Sequence, residues 1–151
     1  MAVLPESGRL AGIDYGSVRI GVALCDPERI LASPYETRTR TNREKDAVYF
    51  QQLVESERLV GFVVGLPVHA SGDESPKSQE ARAFGAWLHE QTGLPVEFFD
   101  ERYTTVEAER YLLQAQMTKK KRKQRLDSVA AQVILSAFLE SSQRGAPQSL
   151  D

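Results

Sequence analysis

The sequence is poor in the residues that define several classes of protein. Its 151 residues include one cysteine and two histidines. The single cysteine, Cys25, excludes an intramolecular disulfide and is typical of a reducing compartment, and its apolar neighbours predict a packed core thiol. These three side chains do not have the spacing of a zinc site, and no Ser-His-Asp arrangement is indicated. We therefore expect neither a disulfide-rich secreted domain nor a zinc enzyme or serine hydrolase.

Long apolar runs are also missing. No stretch approaches the ~20 apolar residues that a membrane span needs, and residues 1–9, with Pro5 and Glu6, lack the apolar core of a signal peptide. With 41% hydrophobic residues, 26% charged residues and a net charge of −2, the composition is that of a globular protein. We expect one cytoplasmic domain over residues 1–151 that contacts no membrane, with an ordered core at about 10–140 and a frayed tail at 141–151.

The first quarter of the chain has the pattern of β-strands. Residues 10–14 are short and apolar, and apolar side chains alternate with others along residues 19–25. A turn leads into a third strand at residues 30–35, where Pro34 favours a position at the edge of a sheet. Together these segments predict an antiparallel meander of three strands.

Helices and strands then alternate. The predicted elements are a helix beginning at a capping box of Thr41 and Glu44, a strand at 59–65, a helix from Ser75 to Gly93, a strand at 96–99, a helix from Thr104 to about Met117, and a last helix beginning near Asp127. The order βββαβαβαα indicates an α/β fold with one mixed five-stranded sheet and helices on both faces.

Two aspartates lie at the ends of predicted elements, next to apolar residues. Asp14 ends a buried strand, where a carboxylate is costly unless it binds something. Asp127 is at the head of a core-facing stripe, because Ala130, Ile134 and Phe138 follow at helical spacing. The alternatives are a turn aspartate that bonds its own backbone at Asp14 and a helix N-cap at Asp127.

Two further acids, Asp100 and Glu101, directly follow the predicted strand at 96–99. Open sheets bind ligands beyond the carboxyl ends of parallel strands. Alternation along the strand directs these two side chains to opposite faces, so only one can face Asp14. We favour Glu101, which has the longer reach, as a metal ligand, with Asp100 as its support. The alternative is a solvated loop.

Acids from three distant segments are the pattern of a divalent-ion site. Mg²⁺ prefers carboxylate oxygens and keeps several waters, and two such ions about 4 Å apart can assist phosphodiester cleavage. We therefore expect Mg²⁺ or Mn²⁺ to be bound by Asp14, Glu101 and Asp127, with Asp100 a further catalytic candidate.

A basic run lies just before Asp127. It consists of Lys119, Lys120, Lys121, Arg122, Lys123 and Arg125, while the rest of the chain is acidic in balance. A charge run is often only solvated, but its position beside a candidate metal site favours contact with a polyanion. Arg19 and Arg102, which lie near the acids in sequence, are further candidates for contacts with nucleic acid.

Four segments resemble, in order, the motifs of the YqgF family of ribonuclease-H-like proteins. They are residues 12–23 (GIDYGSVRIGVA), 64–67 (VGLP) with Gly72, 100–105 (DERYTT) and 127–132 (DSVAAQ). The resemblance implies a ribonuclease-H-like fold, a divalent metal held by the acids, and a nucleic-acid substrate. It also implies a nuclease that matures the 5′ end of precursor 16S rRNA or resolves Holliday junctions.

The sequence departs from the family pattern in three places. Val18 stands where the family usually has Lys, residues 69–71 replace a loop richer in Asn and Asp, and residues 62–65 carry no acid. Related resolvases have an acid on that strand, so either the third motif supplies the middle ligand here or the activity is low.

Two other functions fit parts of the sequence. Asp14 followed by Gly16 is similar to the phosphate-binding start of actin-like ATPases, although that fold needs two such domains. A non-catalytic ribosome-assembly factor would bind RNA through the basic run alone. The sequence leaves open whether the substrate is precursor rRNA or branched or single-stranded DNA, and whether the protein is a monomer or a homodimer.

Overall fold

The computed structural model describes residues 3–67, 73–101 and 119–145, and in the last segment it describes the side chains of residues 126–141. The elements are β1 (Arg9–Asp14), β2 (Arg19–Cys25), β3 (Ala32–Thr39), α1 (Arg43–Glu57), β4 (Leu59–Leu66), α2 (Pro76–Thr92), β5 (Val96–Asp100) and α3 (Lys119–Gly145). The helix predicted from Thr104 to Met117 lies outside the described residues. None of these three helices combines the length and the apolar character needed to cross a membrane.

The five strands form one mixed sheet, as the sequence predicted. Their order is β3-β2-β1-β4-β5. The pairs β1–β2 and β2–β3 are antiparallel, and β4 pairs in parallel with both β1 and β5. It follows that β1, β3, β4 and β5 all end at the same edge of the sheet. Candidate site residues at the ends of these strands are thereby brought together.

The third strand differs from its prediction. β3 is an edge strand, as Pro34 indicated, but it begins at Ala32 rather than at residue 30. The reason is the preceding turn, where the backbone N–H groups of Ile30 and Leu31 donate to the Asp26 carboxylate at 2.9 and 2.7 Å. These two residues therefore close the turn instead of joining the ladder.

The start of α1 also differs, whereas both ends of α2 are confirmed. Asn42, not Thr41, caps α1, because its side chain accepts from the backbone N–H of Lys45 at 2.8 Å. The Thr41 backbone N–H and hydroxyl donate instead to the buried Asp46 carboxylate. In α2, Ser75 is the N-cap and Gly93, at φ 76°, ends the helix.

The last helix begins earlier than predicted. α3 starts at Lys119 and continues to Gly145, so it includes the basic run and part of the predicted frayed tail. The basic run contains no glycine or proline, and Lys and Arg are good helix formers. Asp127 is therefore in the third turn of α3, and its alternative role as an N-cap is wrong.

The helices cover both faces of the sheet, as predicted. On one face, α1 and α2 bury a cluster that includes Phe50, Phe62 and Leu88. On the other face, α3 buries Ile134 and Leu135 among strand residues that include Cys25. Cys25 is 3% exposed, so it is a core thiol, as the sequence indicated.

Candidate active site

Asp14 ends the central strand β1 and faces α3. Leu10 belongs to the cluster under α3 and Ile13 to the cluster under α1 and α2, so alternation directs Asp14 to the α3 face. Its carboxyl group is largely buried. This burial, reinforced by the negative charges of Glu101 and Asp127, raises the pKa of Asp14 from 3.8 to about 7. Glu101 and Asp127 are thus close enough to Asp14 to raise its pKa.

Gly21 of β2 allows Asp127 of α3 to approach the sheet beside Asp14. In the β1–β2 ladder, Asp14 is paired with Gly21. A side chain at Gly21 would collide with the backbone carbonyl of Asp127 and come within 3.0 Å of its Cβ. The lack of a side chain on β2 therefore lets the third turn of α3 rest directly on the sheet, next to the end of β1.

Glu101 lies over the neighbouring strand. A Cβ built at Gly65 of β4 would be 2.7 Å from Glu101 Oε2 and 2.6 Å from Ile134 Cδ1, which places Glu101 on the α3 face. Burial raises the pKa of Glu101, and the charge of Asp100 adds to this rise. Along β5, Val96 and Phe98 pack in the cluster under α1 and α2 and Phe99 packs in the cluster under α3. Continued alternation therefore directs Asp100 to the face opposite Glu101.

Lys77 is a charged neighbour that the sequence analysis missed. It is in the first turn of α2, and its positive charge lowers the pKa of both Asp14 and Glu101. Its position could have indicated this role, since α2 follows β4 and begins at the carboxyl edge of the parallel strands.

Arg19 contacts the acidic site directly. Its Nε lies 3.0 Å from Asp127 Oδ2, and its side chain is 53% exposed. In this arrangement, the described residues contain no group of three His, Cys, Asp or Glu side chains that could hold a metal ion. The acids therefore interact electrostatically without forming a closed metal centre, and one oxygen of Asp127 is engaged by arginine.

The remaining predicted contacts are described only in part. The backbone of Lys119, Lys120, Lys121, Arg122, Lys123 and Arg125 forms the first two turns of α3. These turns lead along the helix to Asp127. Arg102 and the loop at 69–71 lie outside the described residues.

Comparisons of sequence identify the family. Residues 8–141 match the family model for RuvX, Holliday junction resolvase. A relative from Rhodopirellula baltica is 58% identical over 137 residues, covering 91% of this chain and 79% of the relative. A relative from Koribacter versatilis is 41% identical over 133 residues, covering 88% of this chain and 87% of the relative. Both carry the name "Putative pre-16S rRNA nuclease".

Comparisons of structure identify the fold. Thermus thermophilus RuvC in complex with a Holliday junction substrate aligns with a TM-score of 0.53 at 13% identity, over 91% of this chain and 96% of RuvC. The Fowlpox virus resolvase in complex with Holliday junction DNA aligns with a TM-score of 0.54 at 10% identity, over 89% of this chain and 98% of the resolvase. The fold is therefore ribonuclease-H-like. The sequence match to a nuclease family argues against the actin-like ATPase alternative. The match over residues 8–141 and the 58% identical relative show that this chain belongs to the RuvX/YqgF nuclease family.

Proposed function

We propose that this protein is a divalent-metal-dependent nuclease whose metal ligands are Asp14, Glu101 and Asp127. The observation that carries the proposal is the placement of the three carboxylates at one edge of the sheet, with Asp127 over Gly21, the ladder partner of Asp14, and Glu101 over Gly65. A buried cluster of negative charge is unfavourable by itself and is stabilised by a cation. Three carboxylates also match the hard oxygen ligands that Mg²⁺ and Mn²⁺ prefer.

The bound ions would supply the activation of a water molecule and the stabilisation of the leaving oxygen. The chain supplies rigid positions for the ligands, because Asp14 is fixed in the sheet ladder and Asp127 in a helix. Lys77 adds a positive charge beside Asp14 and Glu101, where it can attract a phosphate. We place Asp100, on the opposite face of β5, beside the site as a supporting residue rather than as a ligand.

We infer that the metal site is completed only when substrate binds, because Arg19 occupies Asp127 until then. Its guanidinium now pairs with Asp127, and both side chains are reached by solvent. A phosphate of the substrate would compete for this arginine, since an Arg–phosphate pair forms the same charge-assisted hydrogen bonds. Transfer of Arg19 to phosphate would leave Asp127 available to a metal ion.

The substrate we propose is the precursor of 16S rRNA, cleaved at its 5′ end. The names of the two relatives support this choice, as they refer to pre-16S rRNA at 58% and 41% identity. The structures of similar fold with bound Holliday junctions support branched DNA as the competing substrate. The basic first turns of α3, together with Arg102, would hold the phosphate backbone of either one. An rRNA substrate also fits a cytoplasmic location.

One observation favours a second candidate, an RNA-binding ribosome-assembly factor without catalysis. Arg19 Nε lies 3.0 Å from Asp127 Oδ2, so this acid already has a cationic partner. If this pair is permanent, the protein would bind RNA and cleave nothing.

A cleavage assay separates the two candidates. Precursor rRNA, a four-way junction and single-stranded DNA are incubated side by side with the protein and Mn²⁺. We expect cleavage of at least one of them, its loss in Asp14→Asn and Asp127→Asn, and retained binding in both variants. Binding without cleavage of all three would favour the assembly factor, and wild-type cleavage by a folded Asp14→Asn variant would remove that residue from the site.

A further inference from the structure

A cleft of about 530 Å³ opens on the α1–α2 face, at the same edge of the sheet as the acids. Its lining includes Tyr15, Ser17, Arg40, Arg43, Glu80 and Trp87. Tyr15 directly follows Asp14, and the Cα atoms of consecutive residues are about 3.8 Å apart. The cleft, which we call the edge cleft, is therefore adjacent to the acidic site, although it opens on the other face of the sheet.

One wall of the edge cleft is aromatic. The ring centroids of Tyr15 and Phe84 are 5.2 Å apart, and those of Phe84 and Trp87 are 5.4 Å apart. The guanidinium of Arg40 lies over the Tyr15 ring at 5.2 Å and donates to the Tyr15 hydroxyl at 3.0 Å. Trp87 is only half-buried. Flat aromatic and guanidinium surfaces of this kind are the surfaces on which unpaired nucleobases stack.

The beginning of α1 also lines the edge cleft. Arg43 is exposed in the first turn and has no acidic partner among the described residues, whereas Asp46 is buried and accepts from Arg38 at 3.2 Å. Asn42 caps this turn by accepting from the Lys45 N–H, and the turn also carries the acidic Glu44. The positive charge that this part of the lining offers therefore comes from Arg43. Glu80, on α2, adds an acceptor for a base amino group or a sugar hydroxyl. One cleft thus offers a stacking surface, a cation and a hydrogen-bond acceptor.

The first turns of α2 connect this cleft to the acids. Lys77, whose charge acts on Asp14 and Glu101, and Glu80, which lines the cleft, are three residues apart and therefore share a helix face. A strand whose phosphate lies at the acids can continue along this face into the cleft.

We propose that the edge cleft binds one nucleotide of a single-stranded segment of the substrate, next to the bond that is cleaved. The base stacks on the wall formed by Trp87 and Arg40, and the phosphate is held by Arg43. This inference rests on the proposed nuclease function, but it concerns binding alone and requires no bound metal.

Trp87 is the only tryptophan of the chain, so its fluorescence reports on the cleft in the wild-type protein. Short single-stranded RNA and DNA oligonucleotides and free AMP are titrated in EDTA, with oligonucleotide binding followed in parallel by anisotropy. We expect saturable quenching by an oligonucleotide at the concentrations at which it binds. The oligonucleotide that binds more tightly, RNA or DNA, identifies the preferred strand. Binding without quenching would overturn the proposal, as would equal affinity for AMP, which would indicate a mononucleotide site.

Arg43→Ala and Lys45→Ala are matched variants, because each removes one exposed positive charge from the first turn of α1 and only Arg43 lines the cleft. Arg43→Ala should weaken binding about threefold to tenfold and lower the salt slope by about 0.7. Equal effects of the two variants would contradict a specific contact. Cleavage by a protein that shows no quenching would refute nucleotide binding in the edge cleft and leave the nuclease function intact. Quenching without cleavage would support binding in the edge cleft and contradict the nuclease function.

Discussion

In the metal-free protein, Asp14 should lower stability as the pH rises. Burial and the charges of Glu101 and Asp127 raise its pKa from 3.8 to about 7. Between these values the unfolded chain loses the Asp14 proton while the folded chain retains it, so the free energy of unfolding falls with pH. The decrease begins near pH 4 and is complete above about pH 7.

The size of the effect follows from the two pKa values of Asp14. Each tenfold change in proton affinity corresponds to about 1.4 kcal/mol, so the difference amounts to on the order of 4 kcal/mol. Asp14→Asn keeps the shape of the side chain and removes its charge. This variant should therefore be more stable than the wild type by about 4 kcal/mol near pH 8 and nearly equal to it near pH 4.

Urea unfolding in EDTA at the two pH values measures this difference. Asp26→Asn is a control of opposite sign, because the backbone N–H groups of Leu31 and Ile30 hold the pKa of Asp26 below its usual value. It should lose stability at pH 8. If Asp14→Asn has the same effect at both pH values, or destabilises the protein at pH 8, the electrostatic reasoning about the site is refuted.

The same experiment with Mn²⁺ tests the cation. A metal that binds only the folded state raises the free energy of unfolding in proportion to the logarithm of its concentration. At pH 8 the wild type should gain stability in this way, and Asp14→Asn should gain much less. An equal gain in both proteins would mean that Mn²⁺ binds elsewhere.

Three further predictions concern the other parts of the site. Glu101→Gln should abolish cleavage or demand far more Mn²⁺, while Asp100→Asn loses less; the reverse ranking in a Mn²⁺ titration would transfer the ligand role to Asp100. Gly21→Ala should destabilise the protein by about 1–3 kcal/mol or more in urea, because its Cβ collides with the backbone of Asp127; unchanged stability would contradict that close approach. Neutralising residues 119–123 should lower the slope of log affinity against log salt by about 0.7 per lost contact on single strands, and an unchanged slope would exclude phosphate contacts there.

Local signals in the sequence determined most of the secondary structure. A short apolar run indicated β1, and alternation indicated β2. Ser75 and Gly93 indicated the two ends of α2, and Pro34 indicated an edge strand. These signals are reliable because each depends on the backbone geometry of a few adjacent residues. The four family motifs added the ribonuclease-H-like fold before any contact between distant residues was known.

The errors arose where two local solutions are nearly equal in energy and a distant group decides. Thr41 and Asn42 are both good N-caps, and the buried Asp46 carboxylate engages Thr41, which leaves the cap to Asn42. Asp127 is a good N-cap as well, but the helix continues through the basic residues before it and packs against β2.

Only the tertiary structure decided how the acids meet. The strand order β3-β2-β1-β4-β5 brings the ends of β1, β4 and β5 to one edge, and the glycines at positions 21 and 65 let α3 and Glu101 lie against the sheet. Sequence supplied the identity of the acids. The effect of Glu101 and Asp127 on the pKa of Asp14, and the position of Lys77 beside these acids, depend on distances between residues far apart in the chain. The edge cleft has the same origin, because α1 and α2 form it only after both have packed on the sheet.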